Sequence, residues 1–250
     1  MNPTATILEQ FLPISLEEMD GVKLQDRVDT KYVFGEGRLP EVLSAMLADY
    51  RLLEVAGIRG TKYKSLYFDT TDLKHYKDHH NKRTFRSKVR FREYIGSDLA
   101  FLEVKCKTGR GRTDKKRVRV DSIPSTLSPE QQAFVSKASR MEQPVQASLW
   151  NYFTRYTFVN KHSPERLTMD LDLRYTDTSN ERVLGGIVIA ELKQVRADRT
   201  SPFVRIMRKR SIPTSSMSKY CVGMLLMEKN VKHNAFKEVL LKLERIQKAA

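Results

Sequence analysis

Lys88-Val89-Arg90-Phe91-Arg92, Glu103-Val104-Lys105-Cys106-Lys107 and Lys115-Lys116-Arg117-Val118-Arg119 each place charged side chains, nearly all cationic, on alternate residues. Alternate residues of a strand share a face. The three segments therefore read as strands with positive charge on one side and Val89, Phe91, Val104 and Val118 largely on the other. Cations stacked on one face repel one another, so that face must be open to water or meet a polyanion. Working outward, the habit recurs. Arg27, Asp29 and Lys31 share a parity, as do Arg166, Thr168, Asp170 and Asp172, and as do Glu191 and Lys193 with Ile187 and Ile189. One such strand is the ordinary wet face of an antiparallel sheet. A set of them, rich in cations with a few carboxylates placed among them, is better explained by a closed barrel. Its apolar faces would pack on outer helices and its charged faces would line the interior. Such an interior is untenable empty and dry. Filled by a chain of phosphates and a divalent metal it becomes a site, with Arg as bidentate clamps, Lys as point charges and carboxylates as metal ligands.

The chain has 250 residues, enough for one large or two small domains and a proper core. Its 45 Lys and Arg against 30 Asp and Glu give a net charge of +15, which calls for an anionic partner: nucleic acid, anionic lipid or phosphorylated small molecules. Two isolated cysteines, Cys106 and Cys221, suggest neither a disulfide framework nor a zinc site. No apolar run approaches the ~20 residues of a membrane span. The acidic N-terminal stretch with Glu9, Glu17, Glu18 and Asp20 is unlike a signal peptide. A cytoplasmic protein is expected, with association through a membrane-protein partner left open. Sequence-specific DNA binding is not expected, because the basic residues lie on strands and no recognition helix is legible.

The pattern predicts a strand over 22–34, a helix over 40–50, a strand over 62–68, and a helix capped by Thr70 or Thr71 that runs to about His80. Strands over 85–94, 100–107 and 115–120 form a meander, joined by turns at 96–98 and 108–112. Ser128-Pro129-Glu130 opens a helix. A further helix is expected over 145–152, strands over 155–160, 166–174 and 186–194, and helices over 201–208, 218–228 and 233–248. No internal repeat or low-complexity linker divides the chain. The expected class is a single α+β domain over 1–250: an antiparallel β-barrel tunnel with helices packed outside.

Eight segments carry a family resemblance. They are Arg27-Val28-Asp29-Thr30-Lys31-Tyr32, Ser65-Leu66-Tyr67-Phe68-Asp69-Thr70, the Lys88–Arg92 run, Phe101-Leu102-Glu103-Val104-Lys105, Arg155-Tyr156-Thr157-Phe158, Arg166-Leu167-Thr168-Met169-Asp170, Ala190-Glu191-Leu192-Lys193 and Met217-Ser218-Lys219-Tyr220. In this order, over roughly residues 22–228, they resemble the VTC domain, the polyphosphate polymerase domain of the triphosphate tunnel metalloenzyme superfamily. The resemblance implies ATP with Mn²⁺ or Mg²⁺ in the tunnel and transfer of the γ-phosphate onto a polyphosphate chain. It implies Lys31, Arg90, Arg92, Lys105, Arg155, Arg166, Lys193 and Lys219 as catalytic phosphate ligands. Lys88, Lys107, Arg117 and Ser218 would bind alongside them, with Glu191 as main metal ligand and Glu103 as a second one or as the partner that orients Lys105. Tunnel hydrolases open with Glu-x-Glu-x-Lys; Arg27-x-Asp29-x-Lys31 here argues for the polymerase-like branch. A triphosphatase or nucleoside triphosphatase on the same fold, and a non-catalytic module binding polyphosphate or RNA, are the alternatives.

Other residues read more plainly. His75, His79 and His80, beside Lys74 and Lys77, suit an exposed helix face better than a metal site. Tyr32, Tyr67 and Phe68 suit the core better than an adenine stack, and Trp150 and Phe153 read simply as core. Ser215, Ser216 and Ser218 before Lys219 suit either a phosphate seat at a helix N-terminus or an ordinary cap. The Gly109–Arg112 segment suits a hairpin turn better than a phosphate grip.

Overall fold

The computed structural model describes residues 3–20, 27–109, 113–228 and 230–249. In chain order the elements are α1 (Pro3–Glu9), β1 (Pro13–Ile14), α2 (Leu16–Asp20), β2 (Val28–Gly35), a 3-10 turn (Glu36–Arg38), α3 (Leu39–Met46), β3 (Tyr50–Leu53), β4 (Gly60–Asp69), α4 (Lys74–His80), β5 (Arg86–Tyr94) and β6 (Leu99–Lys107). There follow β7 (Thr113–Val120), α5 (Pro129–Ser139), β8 (Gln146–Asn160), β9 (Glu165–Thr176), β10 (Glu181–Leu184), β11 (Ile187–Gln194), α6 (Pro202–Lys209), α7 (Lys219–Met227), a second 3-10 turn (Asn234–Phe236) and α8 (Lys237–Lys248). The expected strand start at Val22 and the 110–112 part of the expected hairpin turn lie outside the described residues.

The class is α+β, built on one large antiparallel sheet with the order β2-β11-β9-β8-β4-β5-β6-β7; β10 flanks β9, and β3 flanks β8. Among the described residues the one parallel pair is β1 with β3. The expected closed barrel is not found: no ladder of described residues joins the two ends of the path, β2 and β7. The free edge of β2 is instead met by the segment before α7. Thr214 bridges to Tyr32, and Ser215 N–H donates to Lys31 O at 2.8 Å. At the other end β7 is almost wholly exposed and carries Asp114, Lys115, Lys116 and Arg117, charge that discourages edge-to-edge pairing.

The sheet is apolar on its outer face. α1, α3 and α6 cover one part through Leu8, Leu43, Met46, Phe203 and Met207, against Phe34, Phe158 and Leu192. α5 covers another through Val135 and Ala138, against Phe68, Phe91 and Val104. Its start follows the sequence, with Ser128 accepting from Gln131 N–H and the Gln131 side chain returning the bond. The helix expected over 145–152 is instead the first half of the fifteen-residue strand β8. The reason is periodicity: Leu149, Asn151 and Phe153 are buried while Trp150, Tyr152 and Thr154 are less so, a period of two.

The inner face is split along its length. One end is apolar and is filled by α7, whose Tyr220, Cys221 and Met224 join Val33, Leu149, Tyr175 and Ile189 in one cluster. Asp69, fully buried, fixes that helix. It accepts backbone N–H groups from Thr70, His75 and Tyr76 at 2.8, 2.8 and 2.9 Å, and also the Tyr220 hydroxyl. The α4 start is thereby tied to the first turn of α7; the N-cap position falls on Leu73, not on the expected Thr70 or Thr71, although Thr70 Oγ1 accepts Lys74 N–H at 2.8 Å. A Cβ on Gly223 would fall 2.4 Å from the Leu149 side chain and 2.6 Å from the Tyr175 ring. Gly223→Ala should therefore destabilise by about 1–3 kcal/mol in denaturant unfolding, although helix propensity alone favours alanine. A stabilised variant would contradict this seating of α7.

Candidate functional site

The other half of the inner face forms a cavity of about 190 Å³, lined by strands from both ends of the path and by the start of α7. Ten cationic side chains and four carboxylates line it, so it is strongly positive when empty. Register explains how they meet. Arg155 stands opposite Asp170, Arg90 opposite Glu103, and Lys31 opposite Glu191. Opposed charges at such positions attract across the ladder.

Three carboxylates act as nodes. Asp170 accepts Arg155 in a bidentate pair at 2.6 and 2.7 Å and is also bound by Lys219. Glu103 is bound by Arg90 at 2.7 and 2.8 Å and by Lys115, with Arg92 Nε 3.8 Å away. Glu191 lies 3.1 Å from Lys193 and 3.6 Å from Lys31. Burial alone would raise all three carboxyls. The surrounding cations outweigh it and hold each below the ordinary carboxylate range, so all three are ionised.

Balance is missing along the row of Lys88, Lys105 and Lys115, which register sets side by side across β5, β6 and β7. Lys115 reaches diagonally to Glu103. Lys88 donates to Ser218 Oγ at 3.0 Å, and Ser218 in turn accepts Cys221 N–H at 3.2 Å as the cap of α7. Lys31 Nζ donates to Met217 O at 3.1 Å, so the Met217–Lys219 turn is held from both β2 and β5. Burial, with Lys31, Lys105 and Arg90 nearby, pushes Lys88 down to about 7. Burial also lowers Lys219 to about 8, with Asp170 opposing that shift.

Of the residues expected at the site, Lys31, Lys88, Arg90, Arg92, Glu103, Lys105, Arg155, Glu191, Lys193, Ser218 and Lys219 line the cavity. Arg166 stands opposite Lys193 on the β9–β11 ladder but is not among the lining residues. Arg117 is opposite Glu103 in register yet stacks over Phe101 at 4.7 Å, leaving Glu103 to Lys115. Lys107 is exposed and lines a different cavity. The sequence reading passed over Asp170 and Lys115 as site residues. Both share strand parity with residues it did choose, which is the signal that would have found them. Tyr67 and Phe153 are buried as expected but also wall the cavity. Phe153 lies under Lys219 at 4.6 Å and under Arg155 at 5.3 Å. The histidines depart from the expected exposed face: His75 and His80 are buried, and burial with Lys88 and Arg86 nearby pushes His79 down to about 2.

Glu103, ringed by Arg90, Arg92 and Lys115, is a poor metal ligand and a good anchor for guanidinium groups. Glu191 is less encumbered, and Asp29 lies diagonally across the ladder from it. Among the described residues no group of three or more His, Cys, Asp or Glu gathers to hold a metal alone. A bound polyanion restores the ordinary basicity of Lys88 and Lys219, so binding takes up protons. Long-chain polyphosphate, added without metal at pH 8, should bind with uptake of roughly one proton, and its affinity should fall as pH rises from 7 to 9. Calorimetry in two buffers of different ionisation enthalpy reads this, and an exchange-free association would contradict it.

No curated protein matches the chain significantly. Solved structures with a similar chain path include an adenylyl cyclase candidate from Hippeastrum described as having a dominant triphosphatase activity (15% identity, 79% of this chain and 94% of that one, TM-score 0.49). Others are an adenylate cyclase candidate from Vibrio parahaemolyticus (12%, 80% and 99%, 0.48) and a protein from Pyrococcus horikoshii (10%, 81% and 98%, 0.46). The assignment of the chain does not rest on them. It rests on the sequence model of the family described as the VTC domain, which matches residues 26–228 and so takes in every residue that lines the cavity: the chain belongs to the VTC domain family.

Proposed function

We propose that this chain moves the terminal phosphoryl group of ATP onto a chain of phosphates lying in the cavity on the inner face of the sheet. Membership of the VTC domain family implies chemistry on phosphate polyanions. The observation that carries the finer reading is the set of cations fixed in advance by Asp170, Glu103 and Glu191, beside Lys88 and Lys105, which face one another in register. Phosphoryl transfer asks mainly for alignment and for charge neutralisation on the transferring group. Donors already held in place do this without reorganisation. In this reading Lys31, Arg90, Arg92, Lys105, Arg155, Lys193 and Lys219 bind phosphate oxygens. Lys88 and Ser218 bind the same chain at the α7 turn. Glu191 would hold Mg²⁺ or Mn²⁺, which supplies further neutralisation between donor and acceptor phosphates. The acceptor's terminal oxygen attacks, the bond to the β-phosphate breaks and ADP leaves, so no side-chain nucleophile is required.

A hydrolytic reading uses the same cations, with water in place of the acceptor phosphate. The two readings separate in one incubation with ATP and Mn²⁺ that follows ADP, free phosphate and polymer together, with Glu191→Gln alongside. ADP matched by polymer and lost in the variant is the expected result. ADP matched by free phosphate makes the chain a hydrolase, and polyphosphate binding without ADP makes it a binding module. Arg155→Ala should lower the rate by about 10²–10³-fold. Removing Arg155 also leaves buried Asp170 to Lys219 alone, so the melting temperature should fall as well.

A further inference from the structure

A second cavity, of about 310 Å³, lies where the ends of β5 and β6 meet α4, β7 and the last turn of α5. Its lining holds Lys74, Arg86, Lys107, Lys116 and Arg140 against Asp78 and Asp114. Lys74 is committed to Asp78 at 2.8 Å, which leaves four cations facing one carboxylate. Arg86 and Lys107 stand opposite one another in the β5–β6 register, a repulsive placement for two cations. Two polar atoms here are buried without a hydrogen-bond partner among the described residues: Nε of Arg86 and Oγ of Ser139. Such atoms are costly unless something supplies the missing bond. An oxyanion between Arg86 and the end of α5 offers acceptors to both.

The C-terminus of a helix ordinarily repels an anion. At α5 that objection is reduced. The Cys106 thiol donates to Ala138 O at 3.1 Å, Met141 N–H donates to Ser136 O at 3.2 Å, and Arg140 at the C-cap adds its own charge. We propose that this cavity is a second anion site for a short run of phosphates, separate from the central cavity. The run is either free in solution or the far end of a longer chain seated centrally, since Lys107 stands two residues beyond Lys105 on β6.

Cys106 is only partly buried and lines this cavity, whereas Cys221 is fully buried elsewhere, so the thiol serves as a local reporter. The test follows alkylation of Cys106 by the neutral reagent N-ethylmaleimide, by peptide mass spectrometry, with and without inorganic triphosphate. It needs no turnover, so its outcome is independent of the proposed transferase activity. Triphosphate should slow labelling several-fold. The double variant Lys116→Gln with Arg140→Gln, whose unfolding transition should match the parent, should weaken protection roughly tenfold. Lys31→Ala in the central cavity should leave triphosphate protection unchanged. Long-chain polyphosphate distinguishes the sources: protection that weakens in Lys31→Ala identifies a chain spanning both cavities, and protection that persists identifies a free oligomer. No protection in the parent, protection indifferent to the double variant, or triphosphate protection abolished by Lys31→Ala would each overturn the second site.

Discussion

Ten cationic side chains converge on one cavity, and their mutual repulsion is the constraint around which the rest is arranged. Carboxylates provide part of the answer. Asp170 and Glu103, each 2% exposed, accept two or three cations apiece and hold Arg155 and Arg90 with their guanidinium planes fixed. A buried ion pair is weak evidence for stability, because desolvation offsets most of its attraction. Its use here is geometric. The nodes leave other donors, among them Lys88, with less compensation than their burial calls for. A phosphate chain supplies it, so fold and ligand affinity draw on the same imbalance.

The second dependence is on α7. Its apolar residues fill one half of the interior, and its first turn carries Ser218 and Lys219 into the other half. The helix is held from three directions. Asp69 receives Tyr220, Lys31 donates to the Met217 carbonyl, and Lys88 donates to Ser218. The segment before it also covers the free edge of β2, where a hydrogen-bonded closure of the sheet would otherwise stand. One stretch of chain thus packs the core, guards an edge and places two site residues. A fault in its packing, as at Gly223, reaches the site through the shared helix.

Strand parity made most of the site legible. Lys31, Arg90, Lys105, Arg155 and Lys193 are inward-facing because their neighbours on either side are the residues that pack on helices, and alternation along one strand says so without knowledge of any other strand. The same rule misled where alternation was irregular. Residues 145–152 read as a helix, where Trp150 and Tyr152 put large side chains on the parity opposite Leu149, yet all but Val145 belong to the longest described strand. Arg166 and Arg117 have the right parity but lie too far along their strands, or turn to stack on a ring, and parity carries no information about distance along the cavity.

The sequence by itself determined the α+β class, the antiparallel strands, the sign of the interior and the family, since each follows from local periodicity and from the order of short segments. Only the tertiary structure decided which cation meets which carboxylate. Lys115, not Arg117, reaches Glu103, and one carboxylate, Asp170, receives both Arg155 and Lys219. It also decided that no ladder among the described residues joins β2 to β7, with the approach to α7 laid along the β2 edge. The physical reason is that charge pairing depends on register and curvature between strands far apart in the chain. Parity fixes the face of a side chain, and only packing fixes its neighbour.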